Sequence, residues 1–234
     1  MQLFFHQNLD NITVELPEDE SKHCVRVLRK KVGDEIILID GKGNKAICKI
    51  TDDNPKKCKL EIIEKVHFAA KAIGLHIAIA PTKNFDRMDW MLEKCTEIGV
   101  SEITFIETEN SERNKINMER CEKILIQSIK QSKQYWLPKL NNIISLKQFI
   151  SNQKTTDLNC LMAWCNEHST TINETIDLKK STLLLIGPEG DFTELEAKMA
   201  IENNFKTISL GQNILRTETA AIFATAVINN TYQI

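Results

Sequence analysis

The chain has 234 residues, 42% of them hydrophobic and 26% charged, with 30 Lys and Arg against 32 Asp and Glu and a net charge of -2. That composition excludes a disordered tail and a general polyanion coat, and leaves apolar material for one large domain or two small ones. No apolar run approaches the roughly 18 residues that span a bilayer, and the first residues carry no basic leader, so a soluble, cytoplasmic protein is expected. The seven cysteines form no CxxC pair, which points to free buried thiols in a reducing compartment and to no metal site.

Residues 1–70 read mainly as short strands with turn punctuation. Ile36-Ile37-Leu38-Ile39 is closed by Asp40-Gly41, a hairpin signal, and apolar runs at 46–51 and 58–66 are separated by Asp52-Asp53-Asn54-Pro55. One short helix is expected over 21–28. Several strands and a helix in this length suggest a small β-barrel. Beyond residue 70 strands alternate with helices. Strands are expected at 73–80, 103–107, 143–144, 158–165, 182–186 and 207–210. Helices are expected at 85–98, stopped by Gly99, and at 118–134, 146–152, 193–203 and 217–228. This alternation predicts an α/β domain with a mostly parallel sheet over 71–234.

Two loops at strand ends stand out, because ligands collect beyond the carboxyl ends of strands in open α/β sheets. The first runs Gly187-Pro188-Glu189-Gly190-Asp191-Phe192-Thr193, where glycines permit close backbone approach and Thr193 with Glu196 predicts a capping box. The second runs from Ser209 to Ala221 and delivers Arg216, Thr217 and Thr219 to the head of an Ala-rich helix. Arg216 in that setting either serves a ligand or pairs with Glu218 or a more distant acid. A third strand end, Met162-Ala163-Trp164-Cys165, is a weaker signal. Charge is also uneven. Lys22, Arg26, Arg29, Lys30 and Lys31 fall together without an intervening acid, and 113–147 is strongly basic; these are either solvated faces or places that touch a polyanion. No GxGxxG, P-loop, HExxH or GxSxG is present, which disfavours a dehydrogenase, NTPase, zinc protease or α/β-hydrolase.

The segments LLLIGPEGDFTELE at 183–196 and SLGQNILRTETAA at 209–221 resemble the ribosomal RNA small subunit methyltransferase E family, SPOUT-class enzymes that methylate N3 of a uridine in 16S ribosomal RNA. HCVRVLRKKVGDEIILIDGKGN at 23–44 looks like that family's PUA-like barrel, and 83–100, 111–113 and 131–140 look like its middle segments. The resemblance covers the whole chain. It implies a PUA-like, RNA-binding β-barrel at 1–70, then a SPOUT methyltransferase domain with a trefoil knot at 71–234. It also implies S-adenosylmethionine as cofactor, a homodimer, and ribosomal RNA in the small subunit as partner.

Carried over residue by residue, the cofactor pocket comprises Ile186, Gly187, Glu189 and Gly190 on the first loop. Leu210, Gly211, Ile214, Leu215, Arg216, Thr219 and Ala220 come from the second. The turn at 163–165, with Ala163 and Trp164, is its third wall. Arg216 and Glu189 are the catalytic candidates, Arg216 stabilising charge on the target ring or holding a nearby phosphate, and Glu189, Asp191 or water taking the N3 proton. Arg26, Arg29 and Lys30 on the barrel, with Lys83, Arg87, Arg113 and Lys133, are the RNA-binding candidates. Two positions depart from the family pattern. Asp191 stands where the family often has the second of two glycines after GPE, and near Gln134, where the family often carries a basic residue, Lys133 stands in for it. A non-catalytic assembly factor, an enzyme for another RNA position and a small-molecule methyltransferase are the competing readings.

Overall fold

The computed structural model describes residues 2–164 and 170–232, so Cys165, expected in the third wall, lies outside the described residues. The chain forms two compact units, Met1–Ala70 with Ile126–Leu137, and Lys71–Leu125 with Pro138–Ile234.

The first unit carries a five-stranded sheet. Its strands are β1 (Leu3–Phe5), β2 (Thr13–Glu15), β3 (Glu35–Ile39), β4 (Asn44–Asp52) and β5 (Lys59–His67), in the order β1-β3-β4-β5-β2. The β3–β4 hairpin follows the predicted turn. Strands β1 and β2 were not foreseen, because three residues are too few to show alternation. The predicted helix begins earlier than expected: α1 (Glu18–Lys22) starts directly after Pro17 and continues as a π-helical turn over His23–Val27. Pro17 holds an extended backbone there, and three acids in the first turn complement the helix dipole. Phe4, Leu16, Leu38, Ile50 and Leu60 fill the core of this unit.

The second unit holds a seven-stranded sheet, all of whose described pairings are parallel, in the order β10-β12-β9-β11-β6-β7-β8. These strands are β6 (Leu75–Ile79), β7 (Glu102–Glu107), β8 (Lys139–Ser145), β9 (Leu158–Ala163), β10 (Thr170–Thr171), β11 (Ser181–Ile186) and β12 (Lys206–Ser209). Strand β8 is much longer than the two residues expected. It is an edge strand whose polar residues hide the pattern that a buried strand would show. The helices beyond residue 70 are α2 (Phe85–Ile98), α3 (Met118–Ser132), whose residues from 126 onward belong to the first unit, α4 (Leu146–Ser151), α5 (Ile172–Thr175), α6 (Glu194–Glu202) and α7 (Thr217–Tyr232). Gly99 ends α2 at a φ of 113°, a conformation that favours glycine. The small residues of α7, Ala221, Ala224 and Thr225, are buried, and the helix packs on α2 and β6. Asn229 caps α2 by donating from Nδ2 to the Ile98 carbonyl at 2.9 Å. Among the described residues no helix is long and apolar enough to cross a membrane.

At the N-terminal ends of β6, β7 and β8, His76 Nε2 lies 2.8 Å from Thr104 Oγ1 and 3.9 Å from Glu102 Oε1, which accepts from Lys139 Nζ at 2.8 Å. Burial pushes the imidazole down to about 4, with Lys139 adding to the effect and Glu102 opposing it. The unfolded chain therefore takes up this proton first as pH falls. The neutral ring's contribution is complete above about pH 6.5 and is lost as pH drops toward 4, about 2 kcal/mol of it by pH 5. Urea unfolding at pH 7.5 and pH 5 should show this loss in the wild type and little of it in His76→Gln. Equal losses in the two proteins would remove His76 as its source.

Candidate active site

Three loops leave the second unit's sheet at one level. The register pairs Ile186 with Ala163 on one side and with Ile79 on the other, and Ala163 with Ile208. The chain after β9, β11 and β12 therefore emerges around one cavity of about 250 Å³. Its apolar walls include Ala163, Trp164, Ile186, Leu210, Leu215 and Ala220; Gly187, Glu189, Gly211 and Arg216 supply polar and backbone surface. Ile214, 91% exposed, stands at the edge.

Two residues expected in the lining are not in it. Gly190 faces Asn110 instead: a Cβ there would approach the Asn110 side chain to 3.3 Å, and Asn110 Nδ2 donates to the Gly190 and Asp191 carbonyls at 3.1 and 3.0 Å. Thr219 is turned away because Thr217 and Ala220, three positions apart, share the helix face that meets the cavity. Conversely, Pro188, Asp191, Ile208, Asn213 and Thr217 line it without having been assigned to it. Thr217 and Ile208 were legible as neighbours of assigned residues. Asn110, 80 positions from its partner, left no local signal.

The loop after β11 is built as the capping pattern suggested. Thr193 Oγ1 accepts from the Glu196 amide at 3.3 Å, and Glu196 Oε2 accepts from the Thr193 amide at 2.9 Å. Glu196 Oε1 also accepts from the Glu109 amide at 2.9 Å, so one carboxylate ties two loops. Thr217 donates from Oγ1 to the Gly187 carbonyl at 3.1 Å, joining the loops after β11 and β12. Asp191 has a φ of 59°, the left-handed conformation glycine adopts freely, and its Oδ1 accepts from the Phe192 amide at 2.8 Å. A short side chain that bonds locally is what that backbone tolerates besides glycine. Since Asp191 already holds the glycine conformation, Asp191→Gly is expected to leave ligand affinity at the cavity within about threefold. A larger loss in a calorimetric titration would give the Asp191 carboxylate a direct part in binding.

Arg216 is exposed and has no ion pair among the described residues; the pairing with Glu218 does not occur. Glu218 is 4% exposed, its Oε1 lies 3.8 Å from Arg87 Nε, and its Oε2 is buried without a hydrogen-bond partner. Of the other basic candidates in this unit, Lys83 pairs with Glu112 at 3.0 Å. Arg113 donates to the Lys83 carbonyl at 2.9 Å and lies over the Phe85 ring at 5.3 Å. These residues gather around the first turn of α2. In the first unit, Arg26, Arg29 and Lys133 are exposed and form no ion pair among the described residues, while Lys30 Nζ donates to the Glu35 carbonyl at 3.4 Å.

A parallel sheet with a loop-built cavity at its carboxyl edge, preceded by a small β-unit, agrees with the family match. Residues 69–229 match the RNA methyltransferase domain and residues 16–63 the RNA methyltransferase PUA domain, so the chain is an RNA methyltransferase by family. Within that class it belongs to the ribosomal RNA small subunit methyltransferase E family. The Rickettsia conorii protein of that name is 30% identical over 224 residues, 93% of this chain and 89% of the relative. Among solved structures, a probable rRNA-methyltransferase from Porphyromonas gingivalis has a TM-score of 0.94 at 34% identity, covering 100% of this chain and 99% of that one. A ribosomal RNA small subunit methyltransferase E from Neisseria gonorrhoeae, bound to S-adenosyl methionine, has a TM-score of 0.89 at 26% identity, covering 99% and 98%.

Proposed function

We propose that this protein transfers a methyl group from S-adenosylmethionine to N3 of a specific uridine in 16S ribosomal RNA, acting in the cytoplasm on RNA of the small ribosomal subunit. The cavity at the ends of β9, β11 and β12 is the observation that carries the reading. Its chemistry suits a nucleoside sulfonium: an aliphatic and indole-lined slot for a purine, with backbone groups and Arg216 at its edge. Gly211 lines it at a φ of 124°, and a Cβ there would project into open space, so the glycine leaves a cradle empty. Ile186, Gly187, Leu210, Gly211, Leu215 and Ala220 would hold the cofactor, which supplies an electrophilic methyl group when bound.

The chain's own residues then have defined tasks. Uridine N3 is a weakly acidic imide, so it must lose a proton as it attacks, and charge spreads over the ring. Arg216, uncommitted to any acid among the described residues, is suited to meet that charge. Glu189 lines the same cavity with an exposed carboxylate and is the proposed proton acceptor. N3 lies on the pairing edge, so the target must be unpaired or flipped out. Arg26, Arg29, Lys30, Lys83, Arg113 and Lys133 would contact phosphates. Arg87 faces the same solvent but is already tied to Glu218. A trefoil knot in the second unit is supported by its strand order, since the chain passes from β11 across β9 to β12 and returns through α7 to α2 and β6. A homodimer through this unit is supported by Trp90 on α2 and Phe223 on α7, apolar side chains 46% and 44% exposed on helices that pack together.

The test is calorimetric titration with S-adenosylmethionine, followed by methylation of unmodified small subunits and mass analysis of the released nucleosides. Saturable binding near one per protomer and N3-methyluridine as product are expected. No binding at millimolar cofactor by the folded protein, alone or with small subunits present, would overturn the reading, as would a different methylated nucleoside.

A further inference from the structure

The first unit contains a second cavity, of about 550 Å³, bordered by Gln2, Glu20, His23, Gln127, Gln131 and Lys133. Its lining differs in kind from a phosphate site. Asp19 and Glu20 put carboxylates on its wall, which repel an anion, and Lys130 is committed to Glu20 in an ion pair. What remains is a set of side-chain amides, an imidazole and one acceptor without a donor. Glu20 Oε2 is buried and has no hydrogen-bond partner, while Oε1 takes Lys130. An orphaned buried acceptor costs free energy that a ligand N–H recovers. His23 receives a 2.7 Å hydrogen bond at Nε2 from the Gln2 amide, which fixes its ring at the cavity wall. Gln127 and Gln131 lie four positions apart on α3, hence on one helix face, and both are exposed.

Amides paired with a carboxylate acceptor read the edges of nucleobases, and an imidazole offers a face on which a base stacks. We propose that this cavity holds one unstacked base of the RNA chain, with Glu20 accepting from a base N–H, Gln127 and Gln131 reading its edge, and Lys133 engaging the adjoining phosphate. The proposal rests on the RNA-substrate reading above. It makes the first unit a base-reading module in addition to an electrostatic one.

Fluorescence anisotropy with single-stranded homopolymeric oligoribonucleotides, and with an abasic oligomer of the same length, tests it across a range of salt. The wild type should bind at least one homopolymer about tenfold more tightly than the abasic chain, the scale of one good base contact. Gln127→Ala/Gln131→Ala alters two exposed positions and should remove most of that preference with an unchanged salt slope. Lys133→Ala should keep the preference and reduce the slope by about one. A double variant that discriminates as the wild type does, or a wild type that does not discriminate, overturns the proposal. Cofactor titration of the same preparations reads the other unit. Cofactor binding without base preference sinks this proposal alone, whereas its absence strikes the methyltransferase reading.

Discussion

Arg216→Ala should lower the single-turnover methylation rate at saturating cofactor and RNA by about 10²–10³-fold, the scale of losing one preorganised charge-stabilising donor. Among the described residues this guanidinium has no ion pair, although acids are near in sequence, and it lies on the wall of a largely apolar cavity. A structural arginine would normally be tied to a carboxylate, as Arg87 is to Glu218 and Arg120 is to Asp86 and Asp89. Stability should change little, because the side chain is exposed and shields no core. Cofactor affinity should fall less than the rate does, since Ile186, Leu210, Leu215 and Ala220 remain to hold the ligand. Arg216→Lys should recover part of the rate by keeping the charge without the planar fork. A rate unchanged in Arg216→Ala would remove the residue from the chemistry. Equal losses of rate and cofactor affinity would make it a binding residue.

Much of this site is legible because glycine and proline punctuate the loops that build it. Ile186-Gly187-Pro188 marks the end of a buried parallel strand, Thr193 and Glu196 mark the next helix start, and Gly99 marks a helix stop; all three appear in the structure. What escaped depends on contacts distant in sequence or on patterns too short to have a period. Asn110 reaches the loop at 190–191 from a segment with no strong pattern of its own. Strands β1, β2 and β10 have two or three residues each, and the polar edge strand β8 lacks a continuous apolar run. The charge of Glu218 is visible in the sequence, but its burial is not. In a helix's first turn an acid is ordinarily solvated and favoured by the dipole, and only the packing of α7 on α2 turns this one inward.

That burial predicts an asymmetric result. Arg87→Met is expected to destabilise the fold by about 3 kcal/mol, because it strands a carboxylate whose second oxygen already lacks a partner. Glu218→Gln should cost less than about 1 kcal/mol, since the Arg87 side chain is 38% exposed and water can take over its solvation. Neutralising Glu218 also removes the cost of keeping its charge out of water, which offsets the attraction lost across the 3.8 Å pair. Combining the two substitutions should recover most of the Arg87→Met loss, a coupling that urea unfolding in a double-mutant cycle measures directly. Arg87 was nominated as an RNA contact, and an Arg87 variant would lose RNA binding on either account. The cycle separates them: a phosphate contact leaves stability intact and flattens the salt dependence of RNA binding, whereas a counter-ion for Glu218 lowers stability and is rescued by neutralising its partner. Near-additive stabilities, with Arg87→Met no worse than Glu218→Gln, would show that the buried acid does not depend on Arg87.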